Sequence, residues 1–196
     1  CFMLVLSRNV FSSGFKLKQT NWHKDGGSQL SEKTIGIIGC GHIGSDIIKL
    51  LSPFKCKILV KDILDKSNFC REQGAIEASL EEIIKHSDVI SLHVPLTNET
   101  RKICDEKFLK NMKRSAFLIN TSRGEVVDQK ALKHALKQKL IAGAAIDVFK
   151  EEPPSDEEFL ALPNLMVTPH IGGNAKEAIE AMGESAINNL ISFFEN

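Results

Sequence analysis

No stretch of this 196-residue chain reaches the ~20 consecutive apolar residues that a bilayer-spanning helix needs. Nor is there an excess of charge of either sign: 25 Lys and Arg balance 25 Asp and Glu. Nucleic-acid binders and polybasic membrane anchors depend on surplus Lys and Arg, so neither nucleic acid nor membrane is an expected partner. A Cys-x-x-Cys pair is also missing. Cys1, Cys40, Cys56, Cys70 and Cys104 are odd in number and widely spaced, which offers neither a disulfide framework nor a zinc site. Reduced thiols in a cytoplasmic protein are the expectation. The histidines are scattered, none four residues from another, so no helical metal pair forms and no metal is expected. The opening residues lack a basic leader and a cleavage site, unlike a signal peptide, and the absence of Met at position 1 reads as a piece cut from a longer chain.

What is present is ordinary globular material: 42% apolar and 26% charged residues, enough for one large domain with a substantial core. From about residue 33, short β-branched runs alternate with amphipathic stretches. Strands are expected at Thr34–Ile38, Lys57–Val60, Val89–Leu92, Ala116–Ile119, Gly143–Ile146 and Leu165–Val167, with a short one near Ala75-Ile76. Helices are expected at His42–Leu51, stopped by Pro53, and at Leu80–His86, Glu106–Met112 and Gln129–Gln138, the last capped by Asp128. Strands buried on both faces with helices between them imply a doubly wound parallel α/β sheet. At the ends, Phe2–Asn9 reads as a helix followed by irregular chain to residue 30. Ala175–Phe194 reads as one long helix with Ile187, Leu190, Ile191 and Phe194 on one stripe.

Gly39-Cys40-Gly41-His42-Ile43-Gly44 follows the first strand and opens a helix. Gly39 permits the tight turn, Gly41 lets backbone approach a pyrophosphate, and Gly44 lets the helix pack close to the strand. Asp62 ends the second strand, placed to accept hydrogen bonds from a ribose diol. Its carboxylate would repel a 2′-phosphate, Ile63-Leu64 supplies no compensating base, and strand alternation turns Lys61 away. NAD is therefore expected over NADP. Three polar segments follow successive strands, at Asn120–Gly124, Asp147–Pro154 and Thr168–Gly173, and ligands bind at the carboxyl ends of such strands. Arg123, Glu152 and His170 would meet at that edge. Arg can hold a carboxylate, His can exchange a hydroxyl proton, and Glu can pair with imidazolium, which suits hydride transfer to or from a 2-oxoacid.

Taken with the segments 34–44, 91–97, 119–128, 145–149 and 168–173 in order and spacing, the chain resembles the cofactor domain of NAD-dependent D-isomer-specific 2-hydroxyacid dehydrogenases, the phosphoglycerate dehydrogenase group. The resemblance implies a Rossmann-type domain over residues 31–174, an N-terminal helix and dimerisation arm over 1–30 and a C-terminal crossover helix over 175–196, with the substrate domain largely absent. It further implies that His42 and Ile43 lie along the pyrophosphate, Asp62 on the adenosine ribose, and Val94 in the nucleotide pocket. Thr121 and Ser122 would meet the cofactor near Arg123, and Asp147 would hold the nicotinamide carboxamide. The Gly172-Gly173 pair would let backbone pass the nicotinamide. Arg123 would clamp the substrate, His170 would be the acid/base, and Glu152, directly before Pro153, its partner. Relatives often carry Arg where His42 stands, which makes this a weaker phosphate contact. A homodimer is implied through residues 2–22, where Phe2, Leu4, Leu6, Phe11, Phe15 and Trp22 lie outside the sheet core. The alternative function is a non-catalytic NAD(H)-sensing or interaction module on the same fold, as in related corepressors.

Overall fold

The computed structural model describes residues 1–195. In chain order its elements begin with α1 (Phe2–Ser7), α2 (Val10–Lys18), β1 (Thr34–Ile38), α3 (His42–Leu51), β2 (Lys57–Lys61), α4 (Ser67–Gln73) and β3 (Ile76–Glu77). They continue with α5 (Leu80–His86), β4 (Val89–Leu92), α6 (Glu106–Asn111), β5 (Phe117–Asn120), α7 (Gln129–Lys137) and β6 (Gly143–Ile146). The last are α8 (Glu157–Leu160), β7 (Leu165–Val167) and α9 (Lys176–Glu195). The strands form one sheet in the order β3-β2-β1-β4-β5-β6-β7, and every pairing is parallel. The doubly wound expectation is met.

Strand alternation divides the core between two layers. Ile35 and Ile37 of β1, with Ile58 and Val60 of β2, face Met3 of α1 and Ile48 and Leu51 of α3. Ile38 and Leu59 face the other way, toward Ile83 of α5, Phe108 and Leu109 of α6, and Leu132 and Leu136 of α7. Helix starts are set by short acceptors on the preceding residue, which bond otherwise orphaned amides. Ser79 and Glu82 form a reciprocal capping box on α5, Asp105 accepts from Phe108 N at 2.8 Å on α6, and Asp128 caps α7 as expected.

The differences from the sequence reading have local causes. Residues 10–18 are helical rather than irregular, but α2 buries none of them, so no core-facing stripe marked it. Asn9, at φ 50°, separates α2 from α1, which ends at Ser7 rather than Asn9. Helix α4 buries only Cys70 and stops at the left-handed Gly74. Helix α8 is a single turn begun by Asp156. Among the described residues no helix is long and apolar enough to cross a membrane.

Candidate functional site

The strand order reverses between β1 and β4, where connections leave in opposite directions and open a crevice at the carboxyl edge. The glycine loop lies there. Gly39 sits at φ 93°, and a Cβ on it would stand 2.5 Å from the His93 carbonyl oxygen. A Cβ on Gly44 would stand 2.0 Å from the Gly39 carbonyl, so the first turn of α3 rests directly on the loop. Gly41, in contrast, faces open space, with nothing within 4 Å of an added Cβ. No side chain caps α3, so its first amides are free donors beside the exposed His42 and Ile43. An open glycine beside uncapped amides fits a pyrophosphate.

Asp62 lies one residue beyond β2 and ties the loop down. Its Oδ2 accepts from Cys40 N at 2.6 Å and its Oδ1 from Leu64 N at 2.9 Å. Burial alone would raise its pKa, but the Leu64 and Cys40 amides and the charge of Lys66 outweigh burial and hold the carboxyl below its ordinary value. Lys66 is a basic neighbour that the reading of residues 61–64 missed. Ile63 beside it is 97% exposed. Val94 is half-buried against Gly39.

The loop after β5 is organised by Asn120, which sequence reasoning passed over. Buried Asn120 accepts from Ser122 N (3.0 Å) and Ser122 Oγ (2.8 Å), and its amide donates to the Arg123 carbonyl at 2.9 Å. The Asn-x-Ser spacing carries the Asx-turn signal that could have found it. Thr121 and Arg123 are exposed, and Arg123 Nη1 donates to the Ser122 carbonyl at 2.7 Å. Gly124 packs so closely that its Cβ would stand 2.0 Å from the Phe149 backbone, which brings the arginine loop against the segment carrying Glu152.

Glu152 and His170 are in contact: Glu152 Oε2 meets His170 Nδ1 at 2.8 Å, and Oε1 accepts from Phe149 N at 2.9 Å. The His170 hydrogen bond and then the Phe149 amide hold the Glu152 carboxyl below its ordinary value. Glu151 is exposed and faces Lys150 at 4.0 Å instead. Buried Asp147 accepts from Thr168 Oγ1, from Ile171 N (2.9 Å) and from Gly172 N (2.8 Å). These three contacts tie it to the turn that carries His170. Gly172 abuts Asp147, while Gly173 has open space. Arg123 shares the edge with the Glu152–His170 pair and is linked to it through the Gly124–Phe149 packing.

A cavity of about 460 Å³ runs from this edge down between α1 and α3, with Ser91, His93, Thr121, Asp147, Thr168 and Gly172 at its polar end. His93 is a further residue that the sequence reading did not single out. Its Nε2 meets Ser91 Oγ at 2.8 Å, and burial pushes its pKa down to about 4, leaving a neutral ring.

Residues 1–172 match the family model for the D-isomer specific 2-hydroxyacid dehydrogenase, NAD binding domain. The chain is 47% identical over 186 residues to a glyoxylate reductase of Pyrococcus furiosus, covering 94% of this chain and 55% of the relative. It is 38% identical over 184 residues to a D-3-phosphoglycerate dehydrogenase of Methanocaldococcus jannaschii, covering 92% and 35% respectively. The solved structure of a D-lactate dehydrogenase from Sporolactobacillus superposes with a TM-score of 0.91 at 32% identity, over 99% of this chain and 63% of that one. The chain thus spans about half the length of the glyoxylate reductase it matches. With that family model matched over residues 1–172, the chain belongs to the D-isomer-specific 2-hydroxyacid dehydrogenases and comprises their NAD-binding domain.

Proposed function

We propose that the protein carrying this domain interconverts a 2-hydroxyacid, the D-isomer where C2 is a stereocentre, and its 2-oxoacid with NAD(H), and that a short 2-oxoacid such as glyoxylate is its substrate. The carrying observation is the 2.8 Å contact between His170 Nδ1 and Glu152, set at the same sheet edge as the exposed Arg123. NAD(H), its pyrophosphate held at the glycine loop, would supply or accept the hydride. The chain's own residues handle the carboxylate and the proton. Arg123 holds the substrate carboxylate and adjacent oxygen through charge-assisted hydrogen bonds. With Nδ1 committed to Glu152, Nε2 of His170 exchanges the substrate's hydroxyl proton. The Glu152 carboxylate stabilises the imidazolium that protonates the ketone oxygen, and the neutral ring takes that proton back in oxidation. His42, Ile43 and the loop amides hold the pyrophosphate, and Asp62 the adenosine ribose. Val94, Thr121, Ser122 and the Gly172-Gly173 backbone line the remaining cofactor path.

The same reading has residues 31–174 as the cofactor unit, residues 1–30 as an arm and α9 as the crossover toward a substrate domain supplied by further chain. The arm is the dimerisation element. Helix α2 buries nothing of its own, and Phe11, Phe15 and Trp22 lie exposed, Trp22 by 74%. A cytoplasmic setting, keeping the five free thiols reduced, belongs to this reading.

The test is a screen of the full-length protein with NADH against glyoxylate, hydroxypyruvate, pyruvate and phosphohydroxypyruvate. Turnover of at least one, giving glycolate from glyoxylate or the D-hydroxyacid from any of the others, is the expected result. NADH binding without turnover of any 2-oxoacid would overturn the enzyme assignment in favour of a sensing module.

A further inference from the structure

His170 is held in the left-handed region at φ 53°, where a bulky side chain persists only when its surroundings fix it. The preceding Pro169 has no amide to contribute, so the turn must be secured by its other donors. Three of these converge on one carboxylate. The Thr168 hydroxyl and the Ile171 amide donate to Asp147 Oδ1, and the Gly172 amide donates to Oδ2 at 2.8 Å. They flank His170 on both sides. The turn closes on the carboxylate so tightly that a Cβ at Gly172 would stand 2.9 Å from Oδ2.

Asp147 is itself rigidly placed. It is 2% exposed, follows β6 directly, and its amide donates to the Asn120 carbonyl at 3.0 Å. The Thr168 amide likewise extends the ladder to the Ile146 carbonyl at 3.1 Å. Five residues further along the same segment, Glu152 grips the imidazole through Nδ1 at 2.8 Å. One connection therefore fixes the histidine twice, its ring by Glu152 and its backbone by Asp147.

We propose that Asp147, acting with the Thr168 hydroxyl, is a positioning residue that sets the backbone turn presenting His170, a role that rests on the assignment of His170 as the proton-exchanging group. Asparagine cannot replace the acid. Its NH2 would face amide or hydroxyl donors in either orientation, turning an attraction into a clash. Misplacing a reacting group by about 1 Å can reduce the rate about 100-fold, so the effect belongs in kcat.

The experiment uses the full-length protein with Thr168→Val, Thr168→Ser, Asp147→Asn and His170→Ala. It measures kcat, NADH affinity by fluorescence, and the His170 ring resonances by NMR. Thr168→Val is expected to lower kcat about 10- to 100-fold with NADH affinity changed less than about twofold. The His170 resonances shift, Thr168→Ser restores most of the rate, and Thr168→Val adds no further loss to His170→Ala. Unchanged kcat and unchanged His170 resonances in Thr168→Val would overturn the proposal, as would a loss confined to NADH affinity. Should Asp147→Asn fail to fold, Thr168→Val alone decides. If the wild type turns over no 2-oxoacid, the enzyme assignment fails separately, and the His170 resonances in Thr168→Val still decide whether the clamp sets the turn.

Discussion

Two histidines near the carboxyl edge serve opposite ends, and their surroundings explain why. His170 is exposed and carries a carboxylate partner at 2.8 Å, whereas His93 is half-buried and meets the Ser91 hydroxyl at 2.8 Å. His93 titrates near 4 rather than its ordinary 6.5 because burial disfavours its charge. The unfolded chain gains a proton near 6.5 that the folded protein refuses until about pH 4. Stability is therefore fully present above that window and falls, by up to about 3 kcal/mol, as pH drops through it. Urea unfolding between pH 7 and 4 should show this slope, and His93→Gln should flatten it. Glu152 has the opposite character, its carboxyl held low first by His170 and then by the Phe149 amide. The pair's contribution is present above the ordinary carboxylate range and is lost as pH falls through that depressed value. Glu152→Gln should lower kcat for 2-oxoacid reduction by about 10- to 100-fold with NADH affinity nearly unchanged, read by steady-state kinetics and fluorescence titration, because the carboxylate that orients Nδ1 of the imidazole is gone. Arg123, Glu152 and His170 could be picked out from the sequence because each sits in a polar run directly after a buried strand. Asn120, Lys66 and His93 could not, since their roles depend on neighbours brought close only by folding.

At the scale of elements, α3 and its loop are the most tightly specified part of the fold. Gly44→Ala would drive a methyl to within 2.0 Å of the Gly39 carbonyl. The expected outcome is destabilisation by about 1–3 kcal/mol together with weakened NADH binding, read by denaturation and fluorescence titration. Helix α7 depends on a different device, the Asp128 carboxylate bonding the amides of Lys130 and Ala131. Asp128→Ala should lower stability by about 1 kcal/mol and leave NADH affinity unchanged. These elements, like the strands at Val89–Leu92, Gly143–Ile146 and Leu165–Val167, were legible because capping residues and buried apolar runs are local signals. Helices α2 and α4 were not. One buries no residue and the other only Cys70, so the periodicity that reveals a core-facing helix was missing. The three donors on Asp147 were hidden because they are long-range contacts: Thr168, Ile171 and Gly172 lie 21 to 25 residues away.

For the molecule as a whole, the parallel sheet gathers the functional groups at one edge and leaves apolar surface at the ends. Phe15 and Trp22 are exposed by 59% and 74%, and a second copy of the arm would cover them. Full-length protein should sediment as a dimer at micromolar concentration, and Phe15→Asp with Trp22→Asp should shift it toward monomer. In the proposed mechanism the dinucleotide-binding sheet presents His170, backed by Glu152, to exchange the hydroxyl proton of the 2-hydroxyacid/2-oxoacid pair. The most direct measurement compares wild-type and His170→Ala full-length protein for NADH oxidation with the 2-oxoacid it turns over, alongside NADH affinity. The account predicts a loss of about 100- to 10,000-fold in kcat with NADH affinity nearly unchanged. Wild-type turnover in the His170→Ala protein would contradict it.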